Sequence, residues 1–522
     1  MSLPAGIVNA DTVSGDVRVA CDVVVVGSGA GGATMAAKLA GAGVDVIMVE
    51  EGGYHPTESF RSSMGHALRT LYRDGGAATT IGSPPILFSE GRCVGGSTVV
   101  NGGMSFRTPD RVLHRWARRE SVAAITPEAM TPYFEEVERR LHVTHQDPET
   151  IGRDAALLKV GADAKGWQII PNLRNQIHCA GSNNCTVGCP TGAKRSMLLT
   201  NVPTALASGA RLFADCRVDR ITRRGRTATG VEGQFRRPDG RLGDRPRGRH
   251  GDRQGPRLSI AAPVVIVACG AVQSPALLMR SGFRSSSGQL GRHMTLHPNA
   301  KLVAVFDEQV RGWHGVHQAY QVREFIDDGI LITAVNLPPS LVAMGIAEHG
   351  RALGQVMQDY DRMVVAGCLI EDSVTGSVRN VAGLGAQVFY NISDADVARI
   401  VRGISLTAEL MFAAGARRIL SPFAGVPDLR GPDDISALSA SKIAKRSLEL
   451  FTVHLMGTAR MSDDQSRGVV SSFGEFHGAP GLFVADASLF PGPIGVNPME
   501  TILALVSRNA DWMLDHRSRF GI

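Results

Sequence analysis

Asp22-Val23-Val24-Val25-Val26-Gly27-Ser28-Gly29-Ala30-Gly31-Gly32 is an apolar run that breaks into glycines, and Val46-Ile47-Met48-Val49-Glu50 follows it. The run reads as a buried parallel strand. Gly27, Gly29 and Gly32 form G-x-G-x-x-G, with Ser28 and Ala30 inside the turn, and Ala33 to Leu39 continues as a helix. Gly27 permits the tight turn, Gly29 lets the backbone approach a pyrophosphate, and Gly32 lets helix and strand pack closely. The helix N-terminus adds positive potential. Glu50 ends the second strand about 20 residues on, where an acid accepts hydrogen bonds from a ribose. Strand, turn, helix, strand and acid together predict an ADP-containing dinucleotide.

Length and composition set the frame. A chain of 522 residues exceeds one ordinary core, so two interleaved regions are expected. With 43% hydrophobic and 20% charged residues, the composition is that of a soluble globular protein. No apolar stretch approaches bilayer length, and no basic segment leads into an apolar signal core. A cytoplasmic location follows as the expectation, with export on a partner subunit left open. The net charge of +6 is concentrated between Arg236 and Arg257, where eight arginines face Asp239, Asp244 and Asp252. That stretch is rich in Gly and Pro, has no aromatics to stack bases, and reads as a solvated loop, so no nucleic-acid partner is expected.

Three further glycine-rich segments punctuate the chain: Gly91 to Gly102, Val264 to Gly282, and Gly481 to Ser488 leading into Asn497-Pro498-Met499-Glu500-Thr501. Two of them contain an apolar strand ending at small residues, the shape that feeds a cofactor crevice. The fold class is therefore α/β (α+β). A Rossmann-like dinucleotide domain is assembled from residues 18–110, 200–300 and 455–522. A capping domain on an antiparallel sheet is built from 111–199 and 301–454. Thr126-Pro127-Glu128 marks a helix start, and Tyr133, Phe134, Val137 and Leu141 recur at helical spacing as core.

Taken together these segments resemble the glucose–methanol–choline oxidoreductases. Gly91 to Gly102 is similar to their first signature and Gly270 to Gly282 to their second. Leu290-Gly291-Arg292 through His297-Pro298 is similar to the turn that follows. His454-Leu455-Met456-Gly457-Thr458-Ala459-Arg460-Met461 and Asn497-Pro498-Met499-Glu500-Thr501 match their C-terminal stretches. The resemblance spans about residues 20 to 515 and implies FAD. Gly95, Gly96, Ser97 and Asn101 would lie along the diphosphate and the flavin edge, and the backbone of Val218 would meet the adenine. Asp486 and Ala487 would approach the ribityl chain, with Pro498 and Met499 at the flavin. Some members carry covalent flavin on a histidine just before the asparagine that matches Asn101. Here that residue is Val100, so non-covalent FAD is expected.

The resemblance also implies a reaction. An alcohol is oxidised to an aldehyde or ketone, with the hydride going to flavin N5 and His454 as general base. Asn497 would hold the substrate oxygen beside it. Asn-Pro also reads as a helix start, with Asn497 as cap and Pro498 at the first helical position. His297 is given a structural role. The substrate class remains open among aliphatic, sterol, sugar and amino-sugar alcohols, and the acceptor is oxygen or an electron carrier. A flavin-containing lyase on the same fold is the alternative of different class.

Three clustered thiols stand apart: Cys179, Cys185 and Cys189, with His178 before them and Pro190 after. Their C-x5-C-x3-C spacing is similar to that of FAD-dependent sugar dehydrogenases of the family. Such enzymes hold a three-iron [3Fe-4S] iron–sulfur cluster and pass electrons to a cytochrome, which leaves a small or cytochrome partner subunit open. The other reading is a buried thiol cluster or one disulfide under a loop.

Overall fold

The structure is a computed structural model that describes residues 3–236, 255–346 and 348–522. The arginine-rich loop expected between Arg236 and Arg257 lies almost wholly outside these residues. A parallel six-stranded sheet takes its strands from far apart in the chain, in the order Ile7–Val8, Arg211–Phe213, Val46–Val49, Val23–Val26, Val264–Val267, Leu482–Val484. Val23–Val26 lies between Val46–Val49 and Val264–Val267, in register with both. All four of its residues are buried, because the helix Ala30–Gly41 covers one face of the sheet and a second sheet covers the other, and this is why the run carries no polar alternation. The helix Ala30–Gly41 packs back on the sheet and against the C-terminal helix Met499–Asp515.

A second sheet of four strands, Cys216–Arg224, Thr227–Phe235, Arg257–Ala261 and Val17–Ala20, flanks the first. The third is a nine-stranded, mainly antiparallel sheet. At its centre Asn299–Val305 pairs with Met363–Ile370, which pairs with Ile330–Ala334. Each of these strands lays one face on a core under the helices Arg153–Lys165 and Asp394–Ala413.

Two segments pack otherwise than their place in the sequence suggests. The helices Asp110–Arg119 and Pro127–Leu141, grouped above with the capping domain, bury Trp116, Phe134 and Leu141 in the core of the parallel sheet. Ile86 and Phe88, grouped with the dinucleotide domain, join the antiparallel side. An amphipathic helix buries its apolar stripe on whichever core lies within reach, and chain order does not fix which one. Thr126 caps the second helix as expected, its hydroxyl accepting from the N–H of Ala129. Among the described residues, no helix is long and apolar enough to cross a membrane.

Candidate active site

The crevice begins where backbones meet without side chains. Gly27 has φ +103°, and a Cβ there would lie 2.3 Å from the carbonyl oxygen of Ala268. One on Gly32 would lie 2.0 Å from the carbonyl of Gly27, and one on Gly96 would lie 2.7 Å from Cα of Gly29. Gly31, which the fingerprint does not mark, leaves as little room: its Cβ would stand 1.6 Å from the carbonyl of Ala485. The strand Leu482–Val484, from the far end of the chain, makes this fourth glycine necessary. Larger residues at these positions would force apart the backbones that close around the helix N-terminus, and the cradle these form fits a diphosphate.

Glu50 is buried against this turn. One carboxylate oxygen accepts from the N–H of Ser28 at 3.0 Å and its hydroxyl at 2.8 Å, the other from the N–H of Gly52 at 2.9 Å. Burial raises its affinity for a proton. Three of roughly four acceptor positions brace the loop, which leaves one for a ribose. Ser28 in turn accepts from the N–H of Gly95 at 3.1 Å. Ser28, Gly95 and Gly32 therefore sit behind the wall of the crevice and hold its shape.

The other expected cofactor residues border one cavity of about 1030 Å³. Gly27, Gly29, Ala30, Glu50, Gly96 and Ser97 lie at its phosphate end, with Val218 beside the bulge of its strand. Asn101, Asp486, Ala487, Pro498 and Met499 border it further in. Asn101 lies with Nδ2 3.0 Å from Sδ of Met499, which joins the first signature to the C-terminal helix. The side chain of Asp486 is fully spent inside the protein, accepting from Gly270 and Ser274 on one oxygen and from Ser488 on the other. It ties the second signature to the last strand, and only the backbone there is free to meet a ligand. Lys194, buried, donates to the carbonyls of Val99 (2.8 Å), Asn101 (2.7 Å) and Cys185 (2.6 Å), clamping the inner loop from behind.

Beyond the phosphate end, His454 and Asn497 meet at the cavity wall, with Nε2 of the ring 3.4 Å from the Asn497 amide nitrogen. The helix begins at Met499 with Pro498 in the cap position and no side-chain cap. Asn497 is thus not the cap the Asn-Pro pattern suggested; its amide is turned to His454 instead. His454 follows the strand Leu450–Thr452, and its N–H donates to the Thr452 hydroxyl at 3.1 Å. That hydroxyl donates in turn to the carbonyl of Leu296.

His297 completes the group through a contact that no local pattern announces. Its Nδ1 lies 3.3 Å from Nδ1 of His454, with the rings nearly perpendicular. Its Nε2 faces the N–H groups of Ile494 (3.2 Å) and Gly495 (3.1 Å). A nitrogen facing two N–H donors carries no hydrogen, so the His297 proton sits on Nδ1 and is donated to His454. His297 stands at φ +46°, and Asp372 holds that backbone by accepting from the N–H groups of Leu296 (2.9 Å) and His297 (3.2 Å). Burial pushes His454 down to about 4 and His297 well below its usual value, so both rings are neutral near pH 7.

The iron–sulfur reading of the cysteines gains no support among the described residues. All three clustered thiols are free. Cys185 is buried under the Arg174 guanidinium, which donates to its Sγ, Cys189 shares a hydrogen bond with the Thr191 hydroxyl, and Cys179 packs on Ala155, Val316 and Ala319. Among the described residues no three His, Cys, Asp or Glu side chains converge on a metal position. Three different local environments, one of them beside a cation, divide a set that the spacing alone makes look like ligands.

Comparison with known proteins decides the family. Models described as "GMC oxidoreductase" match residues 68–299 and 377–505, and one described as "FAD binding domain" matches residues 22–70. The chain belongs to the GMC oxidoreductases. A GMC-type oxidoreductase of Sinorhizobium fredii is 32% identical, with 97% of each chain covered, and one of Mycobacterium tuberculosis is 36% identical over 94% of this chain and 75% of its own. A long-chain-alcohol oxidase of Arabidopsis thaliana is 28% identical over 93% of this chain and 65% of its own. Among solved structures, pyridoxine 4-oxidase from "Mesorbium loti" superposes with a TM-score of 0.69 at 17% identity, covering 95% of this chain and 99% of its own. The fold of this GMC oxidoreductase is thus that of the family's flavoenzymes, and the stretch from Gly27 to Glu50 lies within the FAD-binding match.

Proposed function

We propose that this GMC oxidoreductase oxidises an alcohol to an aldehyde or ketone, with non-covalent FAD held at Gly27 to Gly32, Glu50 and Gly96. The observation that carries this is the His454–Asn497 pair at the wall of the same cavity that the FAD cradle opens into. FAD bound there supplies the acceptor for the hydride of the carbinol carbon. His454 and Asn497 hold the carbinol oxygen, and His454 takes its proton. Uptake at Nε2 needs the hydrogen of His454 on Nδ1, facing His297. The two N–H groups on His297 oppose that tautomer, so at rest the ring meets the substrate as a donor, and the proton is taken by the minor tautomer with Nε2 bare. The Asn497 amide then turns its oxygen to the ring N–H, its two ends being alike in shape.

The walls beyond the pair support an aliphatic substrate. Val303, Leu331, Val335, Leu341, Val365 and Leu369 line the chamber, and Met344 and Val453 stand exposed at its mouth. Relatives named long-chain-alcohol oxidases point the same way. Anaerobic mixing of the holoenzyme with hexanol, a sterol and a sugar tests the reading. Flavin bleaching by hexanol is expected; bleaching by none of these alcohols would overturn it.

A further inference from the structure

The chamber floor carries one charge that makes no hydrogen bond among the described residues. The strand Asn299–Val305 turns Asn299, Lys301 and Val303 to the chamber and buries Ala300, Leu302 and Ala304 in the core behind it. Lys301 stands opposite Gly367, and Gly367 opposite Thr333, in one row across the three central strands. The row on one side is Asn299, Leu369 and Leu331. Lys301 is the sole charged residue in these three strands. Its side chain lines the chamber, and its Nζ is buried with no hydrogen-bond partner among the described residues.

Burial, with Arg174, Lys194 and Lys301 acting in the same direction, pushes His317, on the same cavity, down to about 3. Arg174 spends its donors on the carbonyls of Gly102, His317 and Gln318 and on Cys185, and Lys194 on three carbonyls. Lys301 is the one of the three that makes no hydrogen bond among the described residues. An alkyl chain filling the chamber would seal this ammonium among apolar walls without a partner, the arrangement that costs most. A carboxylate beside it would form a charge-assisted pair.

We propose that Lys301 binds a carboxylate carried by the substrate, so that the alcohol oxidised here is a hydroxy acid. The hydroxyl end meets His454 and Asn497, the carboxylate meets Lys301, and the apolar walls hold the carbons between. This rests on the alcohol reading above. Burial without a counter-ion holds Lys301 down to about 8, and an anion beside it restores the charged form.

Calorimetric titration of the holoenzyme with hexanoate and with hexanamide tests the site without any oxidation. Hexanoate should bind at least tenfold more tightly than hexanamide. In Lys301→Met that preference should vanish, and in Lys301→Arg part of it should remain. Equal binding of the two by the wild-type protein would overturn the proposal whether or not the variants fold. So would a preference that survives in a Lys301→Met protein with its FAD absorption intact. A hexanoate preference in a protein whose flavin no alcohol bleaches would support the carboxylate site while overturning the alcohol reading.

Discussion

Nδ1 of His297 lies 3.3 Å from Nδ1 of His454, and two backbone N–H groups pin the far nitrogen of His297. This one contact sets the tautomer of the ring at the reaction centre. His297→Ala should therefore retain FAD and raise the share of His454 whose Nε2 is bare, the form that takes the carbinol proton. The readout is the nitrogen-15 spectrum of His454. In the wild-type protein the hydrogen should sit on Nε2, and in His297→Ala it should divide between the two nitrogens. An unchanged spectrum would remove His297 from this role.

Acidity follows from burial. With His454 held down to about 4, the ring is neutral above that value and gains a second proton only below it. The acid limb of kcat/KM for an alcohol should accordingly fall as pH drops through about 4, and the rate should stay level between pH of about 5 and 7. An inflection near the ordinary histidine value of about 6.5 would show that the ring is solvated instead.

Asp372 carries the strained turn at His297. Asp372→Ala leaves the N–H groups of Leu296 and His297 and the Tyr390 hydroxyl without their acceptor in the interior. At roughly 1–3 kcal/mol for each buried group left unpaired, the loss should reach about 3–5 kcal/mol. Urea unfolding measures it. Asp372→Asn, which keeps a carbonyl oxygen, should lose less.

Gly96→Ala probes the cradle. The new methyl would stand 2.7 Å from Cα of Gly29, at a residue with φ +56°. Backbone on both sides leaves neither loop room to yield. FAD affinity should drop at least about tenfold, a loss of about 1.4 kcal/mol or more, while the far-ultraviolet spectrum of the apoprotein is unchanged. Full retention of FAD would show that the loops part easily.

Asn497 separates a cap from a functional amide. A lost side-chain cap costs about 1 kcal/mol. Because Asn497 makes no such bond, Asn497→Ala should leave the unfolding midpoint in urea nearly unmoved and lower turnover sharply. A loss of stability without a loss of rate would reverse the assignment.

Much of this architecture was legible in the chain. A buried parallel strand must be apolar throughout, and a backbone that meets a phosphate needs glycine, so Val23 to Gly32 and Glu50 announce themselves. His454 and Asn497 were legible through the motifs around them. Contacts made by folding distant segments were not. Gly31 matters because of Ala485, His297 because of His454, and Lys301 because Gly367 stands opposite it, and no local pattern encodes such neighbours. Lys301 did leave one signal, a lone charge in an otherwise apolar strand. The three thiols were legible only as a cluster in sequence; Arg174 and Thr191, which give Cys185 and Cys189 their hydrogen bonds, were not.

The account turns on His454 acting at the cavity wall beside bound FAD. Anaerobic mixing of hexanol with wild-type and His454→Ala holoenzyme, followed by flavin absorbance, tests this most directly. Bleaching of the wild-type protein and none in the variant, with FAD still bound to both, is the result predicted. Equal bleaching rates in the two proteins would contradict it.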